Sequence, residues 1–159
     1  FPAGQVSLIS GPTAGATRNF LSMMALPEGD EYLSLADQDD VWRPDKLGRA
    51  LTALRTRPEA GLYSACTTIC DAELTPLAGS LRFAGPFDFR NALVQAVTAG
   101  NTCELTPAAI RLARQAAPAA MEIGLESHDW WLYLIVPGRG WGLSATMRRC
   151  FCTGSTVTI

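Results

Sequence analysis

Short apolar runs alternate along the chain with stretches whose apolar residues recur at helical spacing. An apolar run of about four to eight residues bounded by turn residues is typical of a strand. Such runs predict strands at Val6 to Ile9, Tyr32 to Ala36 and Gly61 to Ile69. Residues 76 to 90 predict a packed loop, and residues 91 to 99 fit either a helix or a strand. Strands that alternate with helices favour a three-layer α/β domain with a mostly parallel sheet.

Capping residues and prolines mark the boundaries of the predicted helices. Thr13 to Met24 carries apolar residues at helical spacing and is followed by a Pro-Glu-Gly-Asp turn. Pro44 suits the first position of a second helix, where its missing N–H costs nothing. Thr106 is a suitable N-cap for a third helix, which we expect to end before Pro118. Ser127 caps a fourth helix in the same way.

An acidic cluster directly follows the second predicted strand. Asp37, Asp39 and Asp40 lie within one short stretch, ahead of Trp42 and Pro44. Like charges this close repel and raise one another's pKa, whereas a divalent cation reverses that effect. In parallel α/β sheets ligands bind at the carboxyl ends of strands, so the cluster predicts a cation site. The alternatives are an acidic loop that caps the helix at Pro44 and a solvated turn.

Composition and charge narrow the choice of partners. The chain has 159 residues, 13 basic and 15 acidic side chains and a formal net charge of −2, so no bulk field attracts nucleic acid or an anionic membrane. The longest apolar run, Trp130 to Pro137, is far shorter than the roughly 20 residues of a membrane span, and no signal peptide is visible. The odd number of cysteines suits a reducing compartment and, with one His, predicts free thiols rather than a zinc site. We therefore expect a single cytoplasmic domain with no nucleic-acid partner.

Three motifs, in order along the chain, resemble one enzyme family. The string that begins at Asp37, Asp-Gln-Asp-Asp-Val-Trp-Arg-Pro-Asp-Lys, resembles the Asp-x-Asp element of family 2 glycosyltransferases of the GT-A fold, particularly rhamnosyltransferase-like members that make bacterial surface polysaccharide. Residues 15 to 20 resemble the helix start upstream of that element, and residues 127 to 131 resemble the family's His-Asp-Trp-Trp segment. Gly100-Asn-Thr is a weaker match. The resemblance covers roughly residues 6 to 137 and implies a Rossmann-like GT-A domain.

The resemblance implies a metal-dependent, inverting transfer of a sugar from a nucleotide-diphosphate sugar to a glycan or lipid-linked glycan. An oxygen-bound Mg²⁺ or Mn²⁺ would offset the charge of the departing diphosphate. By resemblance, Asp39 is the metal ligand, Asp37 contacts the metal or the ribose of the nucleotide, and Asp40 assists. Arg18 is expected at the nucleotide, and a solvent-exposed helix arginine is its alternative. A lipid-linked acceptor implies peripheral association with the inner face of the cytoplasmic membrane.

The same resemblance assigns the acceptor side to the Ser127 helix. A carboxylate within hydrogen-bond reach can take the proton of the attacking hydroxyl, and the family pattern puts that general base at Asp129. His128 and Trp130 are expected to line the acceptor site. The alternatives are a helix-start acid for Asp129, a local hydrogen-bonding role for His128 and core packing for Trp130.

Both ends of the chain depart from the family pattern. Family members normally carry a strand, a helix and a strand ahead of the equivalent of Val6 to Ile9, and these elements hold the nucleotide base. We therefore expect residues 1 to 137 to form a partial GT-A domain, incomplete in its nucleotide-binding half. A catalytically inactive fragment that retains the fold, and a metal-binding interaction module, are the alternatives to an active transferase.

Residues 138 to 159 predict a tail that does not belong to the family. Residues 139 to 159 have no clear amphipathic period, where the family carries a Tyr-Arg-Gln-His type of segment whose His completes the metal site. One permissible set of codons for these residues, read two bases later, encodes a product that contains Tyr-Arg-Gln-His. The hypothesis is a frameshift near Pro137 to Arg139, and codons that cannot encode that product would exclude it.

Overall fold

The computed structural model describes the backbone of residues 6 to 154 and the side chains of residues 6 to 146, which form a mixed α/β fold. The strands are β1 (Leu33–Ser34), β2 (Asp40–Trp42), β3 (Ala60–Cys70), β4 (Pro76–Gly79), β5 (Glu104–Leu105) and β6 (Gly142–Gly154). The helices are α1 (Ala16–Met23), α2 (Lys46–Arg55), α3 (Phe89–Ala92), α4 (Pro107–Glu122) and α5 (His128–Gly138), and a 3₁₀ turn spans Gly100–Thr102.

One open sheet joins these strands, in the order β1-β5-β3-β6-β2, with β4 paired to β3 beside that path. β3 and β6 pair in parallel, from Ala60 opposite Gly142 to Cys70 opposite Gly154. The other four pairings in the described residues are antiparallel, so the expectation of a mostly parallel sheet is wrong. β4, for example, follows β3 after the turn of residues 71 to 75, a connection too short for the crossover that parallel pairing requires.

Helices cover both faces of β3 and create two apolar cores. Successive side chains of a strand point to opposite faces, and the neighbours Leu62 and Tyr63 belong to different cores. The larger core lies between the sheet and the helices α1, α4 and α5, with Leu62, Leu132 and Val136 fully buried. The smaller core packs Ala50 and Leu54 of α2 against Tyr63. This arrangement gives the three layers that the sequence predicts.

The amphipathic and capping signals located most helices correctly. The predicted helix Thr13 to Met24 corresponds to α1, and the helix predicted at Pro44 begins two residues later as α2. Ser127 caps α5 as expected, since its Oγ accepts a hydrogen bond from the N–H of Trp130. The strand predictions at Tyr32 to Ala36 and at residues 61 to 69 correspond to β1 and β3. These elements frame the acidic cluster and Asp129.

One predicted strand and one predicted helix end are wrong for physical reasons. Val6 to Ile9 forms no strand and its side chains are exposed, because no other strand in the described residues pairs with it and an isolated strand is unstable in water. The helix expected to end before Pro118 continues as α4 to Glu122. Pro118 lies on the exposed side of α4, where water can reach the carbonyl that the missing N–H leaves unpaired.

The two segments that the sequence predicts as a loop or leaves undecided contain a short strand and a short helix. β4 and the start of α3 lie within the loop predicted at residues 76 to 90, and the segment of residues 91 to 99 is largely irregular. The backbone of β6 lies in the predicted tail and pairs with β3 and β2. The sheet thus continues through the predicted division after residue 137.

Candidate functional site

The acidic cluster lies in the connection between β1 and β2 and at the first residue of β2. Asp37 and Asp39 belong to the connecting loop, and Asp40 is the first residue of β2. Partial burial makes the largest contribution to the raised pKa of Asp37. The negative charges of Asp39 and Asp129 raise this pKa further, while His128 lowers it. The loop acids and the first turn of α5 are therefore close enough to act on one another electrostatically, although they are about 90 residues apart in sequence.

Asn101 holds Asp40 from the 3₁₀ turn. Its Nδ2 donates a hydrogen bond of 2.6 Å to Oδ2 of Asp40, and the Asn101 side chain is buried. Burial raises the pKa of Asp40, while the Asn101 hydrogen bond and the charge of Lys46 lower it. The Gly100-Asn-Thr string was a weak sequence signal, and the structure gives its middle residue a specific role in fixing the cluster.

Gly100 lets the 3₁₀ turn approach His128 closely. A Cβ at this position would lie 2.5 Å from Nε2 of His128, so a side chain would displace the ring. The ring stacks on Phe20 of α1, with centroids 4.1 Å apart, and burial lowers the pKa of His128 although Asp129 and Asp37 raise it. Its buried Nε2 has no hydrogen-bond partner among the described residues. His128 thus joins α1, α5 and the turn that holds Asp40.

One carboxylate oxygen of Asp129 accepts hydrogen bonds, and the other accepts none from the described residues. Its Oδ1 accepts hydrogen bonds from the Ser127 hydroxyl and from the N–H of Trp130 at 2.8 Å. Within the described part of the chain, no hydrogen bond to its Oδ2 is formed. The side chain is half-buried, and Thr98 Oγ1 donates a 3.1 Å hydrogen bond to its carbonyl oxygen. A fixed carboxylate with a free oxygen at the edge of a site is suited to accept a proton.

Lys46, the only lysine of the chain, contacts the strands on both sides of the acidic loop in sequence, β1 and β2. It is 1% exposed, forms a buried ion pair with Glu104 of β5 and donates to Ser34 Oγ of β1 at 3.0 Å. Its Nζ also lies 3.9 Å from the ring centroid of Trp42. These contacts tie α2 to β1, β2 and β5 around Asp40. The Trp-x-Pro-x-Lys string contained this signal, but its partner in β5 was not predictable from spacing.

Two candidate residues have other contacts. The guanidinium of Arg18 donates to the carbonyl of Met121 at 3.0 Å, and Arg18 is not among the charges that shift the pKa of Asp37 or Asp40. The structure therefore does not bring Arg18 to the acids. The indole N–H of Trp130 donates to the carbonyl of Ala92 at 2.7 Å, which packs this side chain against α3.

Asp37 and Asp39 are the carboxylates that best fit a cation. No group of three His, Cys, Asp or Glu side chains in the described residues is arranged to hold a metal ion, and Asp40 already binds Asn101. Mg²⁺ is often held by one or two carboxylates together with phosphate oxygens of a substrate. The repulsion that raises the pKa of Asp37 is what such a cation would relieve. A cation at Asp37 and Asp39 would therefore need further ligands besides the described side chains.

The comparisons with known proteins identify no family for the chain. Among the described residues, no helix is both long and apolar enough to cross a membrane. No family model matches the chain, and no curated protein matches it significantly. A function must therefore be inferred from the residues of the site and their geometry.

Proposed function

We propose that the chain is a GT-A glycosyltransferase domain that transfers a sugar from a nucleotide-diphosphate sugar to a hydroxyl of a glycan acceptor, with inversion. The observation that carries the proposal is the meeting of three distant motif segments. The acids at Asp37 to Asp40 contact the 3₁₀ turn through Asn101, and that turn contacts His128 beside Asp129. A chance resemblance in sequence would not require these segments to meet.

The proposed base is Asp129, because its Oδ1 is fixed by two donors while its Oδ2 accepts no hydrogen bond from the described residues. The acceptor oxygen attacks the anomeric carbon as the bond between that carbon and the diphosphate oxygen breaks. The hydroxyl proton passes to Oδ2 of Asp129, and the nucleoside diphosphate leaves with the bonding electrons. The hydrogen bonds from Ser127 and from the N–H of Trp130 orient the carboxylate.

Asp37 and Asp39 would hold the cation on the donor side. When bound, Mg²⁺ or Mn²⁺ supplies positive charge next to the departing diphosphate. Asp40 contributes by position: its hydrogen bond to Asn101 and its place at the start of β2 fix the end of the acidic loop. Lys46 and Glu104 support that loop without reaching the reacting atoms.

A second candidate is a fold that binds donor and metal without turnover. The observation that favours it is that, among the described residues, no three ligating side chains converge on one point. A cation held so sparsely depends on the diphosphate for its affinity. A metal-binding interaction module is less well supported, since it would bind the ion without a nucleotide.

The test is a titration of the whole chain with Mn²⁺, alone and with a panel of nucleotide-diphosphate sugars, followed by calorimetry and product analysis. We expect nucleotide-dependent Mn²⁺ binding that Asp39→Ala removes and that Asp30→Ala retains, because Asp30 is exposed and paired with Arg111 far along the chain. Turnover that Asp129→Asn removes, with binding intact, supports the transferase. Binding without turnover supports the second candidate, and Mn²⁺ binding indifferent to nucleotide contradicts both.

A further inference from the structure

One face of α1 contacts the chain at the point where α5 begins. Thr17 Oγ1 donates a 2.6 Å hydrogen bond to the carbonyl of Glu126, the residue before the Ser127 cap. Three residues further along α1, the ring of Phe20 stacks on the ring of His128, the first residue of α5. Residues three apart lie on the same face of a helix, so a single face of α1 holds the start of α5 from both sides of its cap.

The His128 ring is fixed on one face and at one edge. Phe20 covers the face, with ring centroids 4.1 Å apart and ring planes inclined by 19°. Gly100 lies at the edge, since an added Cβ there would be 2.5 Å from Nε2 but 3.6 Å from Cδ2 of His128. In close packing of this kind, the ring can turn only if one of these neighbours moves. Its position therefore fixes the first turn of α5, which carries Asp129.

The contacts of the His128 ring reach both halves of the proposed site. Gly100 begins the 3₁₀ turn whose next residue holds Asp40, and Asp129 follows His128 directly in α5. Burial lowers the pKa of His128, whereas the charges of Asp129 and Asp37 act against that shift. The ring thus lies close to the proposed base and to the acids, and it packs against the turn that fixes one of those acids.

We propose that Phe20 is a positioning residue for the sugar transfer, whose ring keeps His128 against Gly100 and so sets the spacing between Asp129 and the acidic loop. This inference rests on the proposed function, because the spacing matters only if Asp129 takes a proton beside the bound diphosphate. Phe20 itself touches no reacting atom. A displacement of about 1 Å within a catalytic site can lower the rate by about 100-fold, so a small movement of the ring would be felt in turnover.

Four substitutions separate the stacked ring from apolar volume alone. Phe20→Leu keeps an apolar side chain against the core but removes the stack, and Phe20→Tyr restores an aromatic ring. Gly100→Ala displaces the same ring from its Nε2 edge without a change in the core. Phe89→Leu is the matched control, since Phe89 lies against Gly138 at the other end of α5. The circular dichroism spectrum and the unfolding midpoint establish that each variant is folded.

The stack is tested by NMR of the whole chain. His128 is the only histidine of the chain, so the carbon-bound protons of its ring give the only imidazole signals. A stacked aromatic ring shields these protons, and a spectrum at about pH 8 observes the neutral ring. We expect shielded signals in the wild-type chain, in Phe20→Tyr and in Phe89→Leu, and a shift toward unfolded-chain positions in Phe20→Leu. Wild-type signals at unfolded-chain positions would overturn the proposal.

The positioning role is tested by turnover, measured as release of nucleoside diphosphate from a panel of UDP-, GDP- and dTDP-hexoses with methyl glycosides of hexoses as acceptors. We expect kcat to be roughly tenfold or more lower in Phe20→Leu and in Gly100→Ala, and unchanged in Phe20→Tyr and Phe89→Leu. The Kd of the nucleotide sugar with Mn²⁺ should be unchanged in Phe20→Leu, because Asp37 and Asp39 remain. A merely structural defect would weaken binding and turnover together.

Each outcome decides one of the two proposals. Wild-type turnover that Phe20→Leu retains overturns the positioning role while the proposed function stands, and where Phe20→Leu fails to fold, turnover retained in Gly100→Ala has the same meaning. Loss of turnover and of nucleotide-sugar binding together in Phe20→Leu also overturns the positioning role. A wild-type chain without turnover overturns the proposed function and the positioning role with it, even where the His128 signals are shielded.

Discussion

Charges from two parts of the chain shift the pKa of Asp37. Its pKa is raised by burial, by Asp39 in the same loop and by Asp129 in α5. Replacing Asp39 by Asn removes one of these negative charges, so the pKa of Asp37 should fall toward its ordinary value. NMR titration of the side-chain carboxyl carbon of Asp37 through the acidic range measures this shift directly.

The same substitution has a defined effect on the pH dependence of stability. Because the pKa of Asp37 in the folded chain lies above its ordinary value, the folded state binds the proton more tightly than the unfolded state. The contribution of Asp37 to stability is therefore least favourable above the raised pKa and improves as the pH falls through it. Asp39→Asn should flatten this trend, whereas Asp30→Asn should not. An unchanged titration of Asp37 in Asp39→Asn would contradict the coupling.

At this scale the sequence singles out candidate residues, but not the contacts that position them. The acids and Asp129 were predicted as site residues because their types and spacing match a sequence motif. The hydrogen bond from Asn101 to Asp40 and the close approach of Gly100 to His128 join residues far apart in sequence. Arg18 was expected at the nucleotide because of its motif, but its helix directs it to Met121. Such contacts depend on the packing of elements, which spacing along the chain does not encode.

At the scale of elements, the pair of Lys46 and Glu104 joins α2 to β5. Lys46→Met leaves the Glu104 carboxylate buried without its cation, which should reduce the free energy of unfolding by about 3–5 kcal/mol. In the double variant Lys46→Met with Glu104→Leu no buried charge remains, so much of that loss should be recovered. Urea denaturation measures both values.

An exposed ion pair provides the control for this prediction. Arg43 lies 3.4 Å from Asp45 and both side chains are largely exposed, so Arg43→Ala should change the free energy of unfolding by less than about 1 kcal/mol. A double variant no more stable than Lys46→Met alone would show that the ion pair contributes something other than mutual neutralisation. Loss of Mn²⁺ and nucleotide binding in a folded double variant would indicate that Lys46 also positions the acidic loop.

Elements with strong local signals were predictable, and those that depend on neighbours were not. α5 begins at a Ser cap, and α2 follows a Pro that is favourable at a helix start. α4 passes Pro118 because the Ala residues on its other side, Ala113, Ala117 and Ala120, pack in the core. Packing there outweighs the local cost of the proline, and no feature of the local sequence reports that balance.

At the scale of the whole molecule, β6 is the strand on which the sheet depends. Its backbone pairs with β3 on one side and β2 on the other. Truncation of the chain after Gly140 removes this strand, which takes from β2 its neighbour in the sheet and leaves β3 paired only with β4 and β5. We expect the truncated chain to lose cooperative unfolding, measured by circular dichroism during urea titration.

The triple variant Val6→Ser, Leu8→Ser and Ile9→Ser is the matched control. Val6 to Ile9 are exposed and belong to no helix or strand, so these substitutions should leave the unfolding midpoint nearly unchanged. A cooperative transition in the chain truncated after Gly140 would show that the sheet forms without β6. The three-layer class of the fold was predictable from the alternation of strands and helices, but the central position of β6 was not, since residues 139 to 159 show no period.

The position of β6 also determines when the acidic loop becomes ordered during synthesis. β2, which begins with Asp40, has β6 as its hydrogen-bonded neighbour in the sheet, and β6 is made about 100 residues later. On the ribosome β1, β5 and β3 can pair before β6 emerges, because chains fold progressively from the N-terminus. β2 must wait for β6, and closing so long a loop is slow. The residues proposed to hold the cation are therefore among the last to reach their final arrangement, and any change to the C-terminal strand acts on them first.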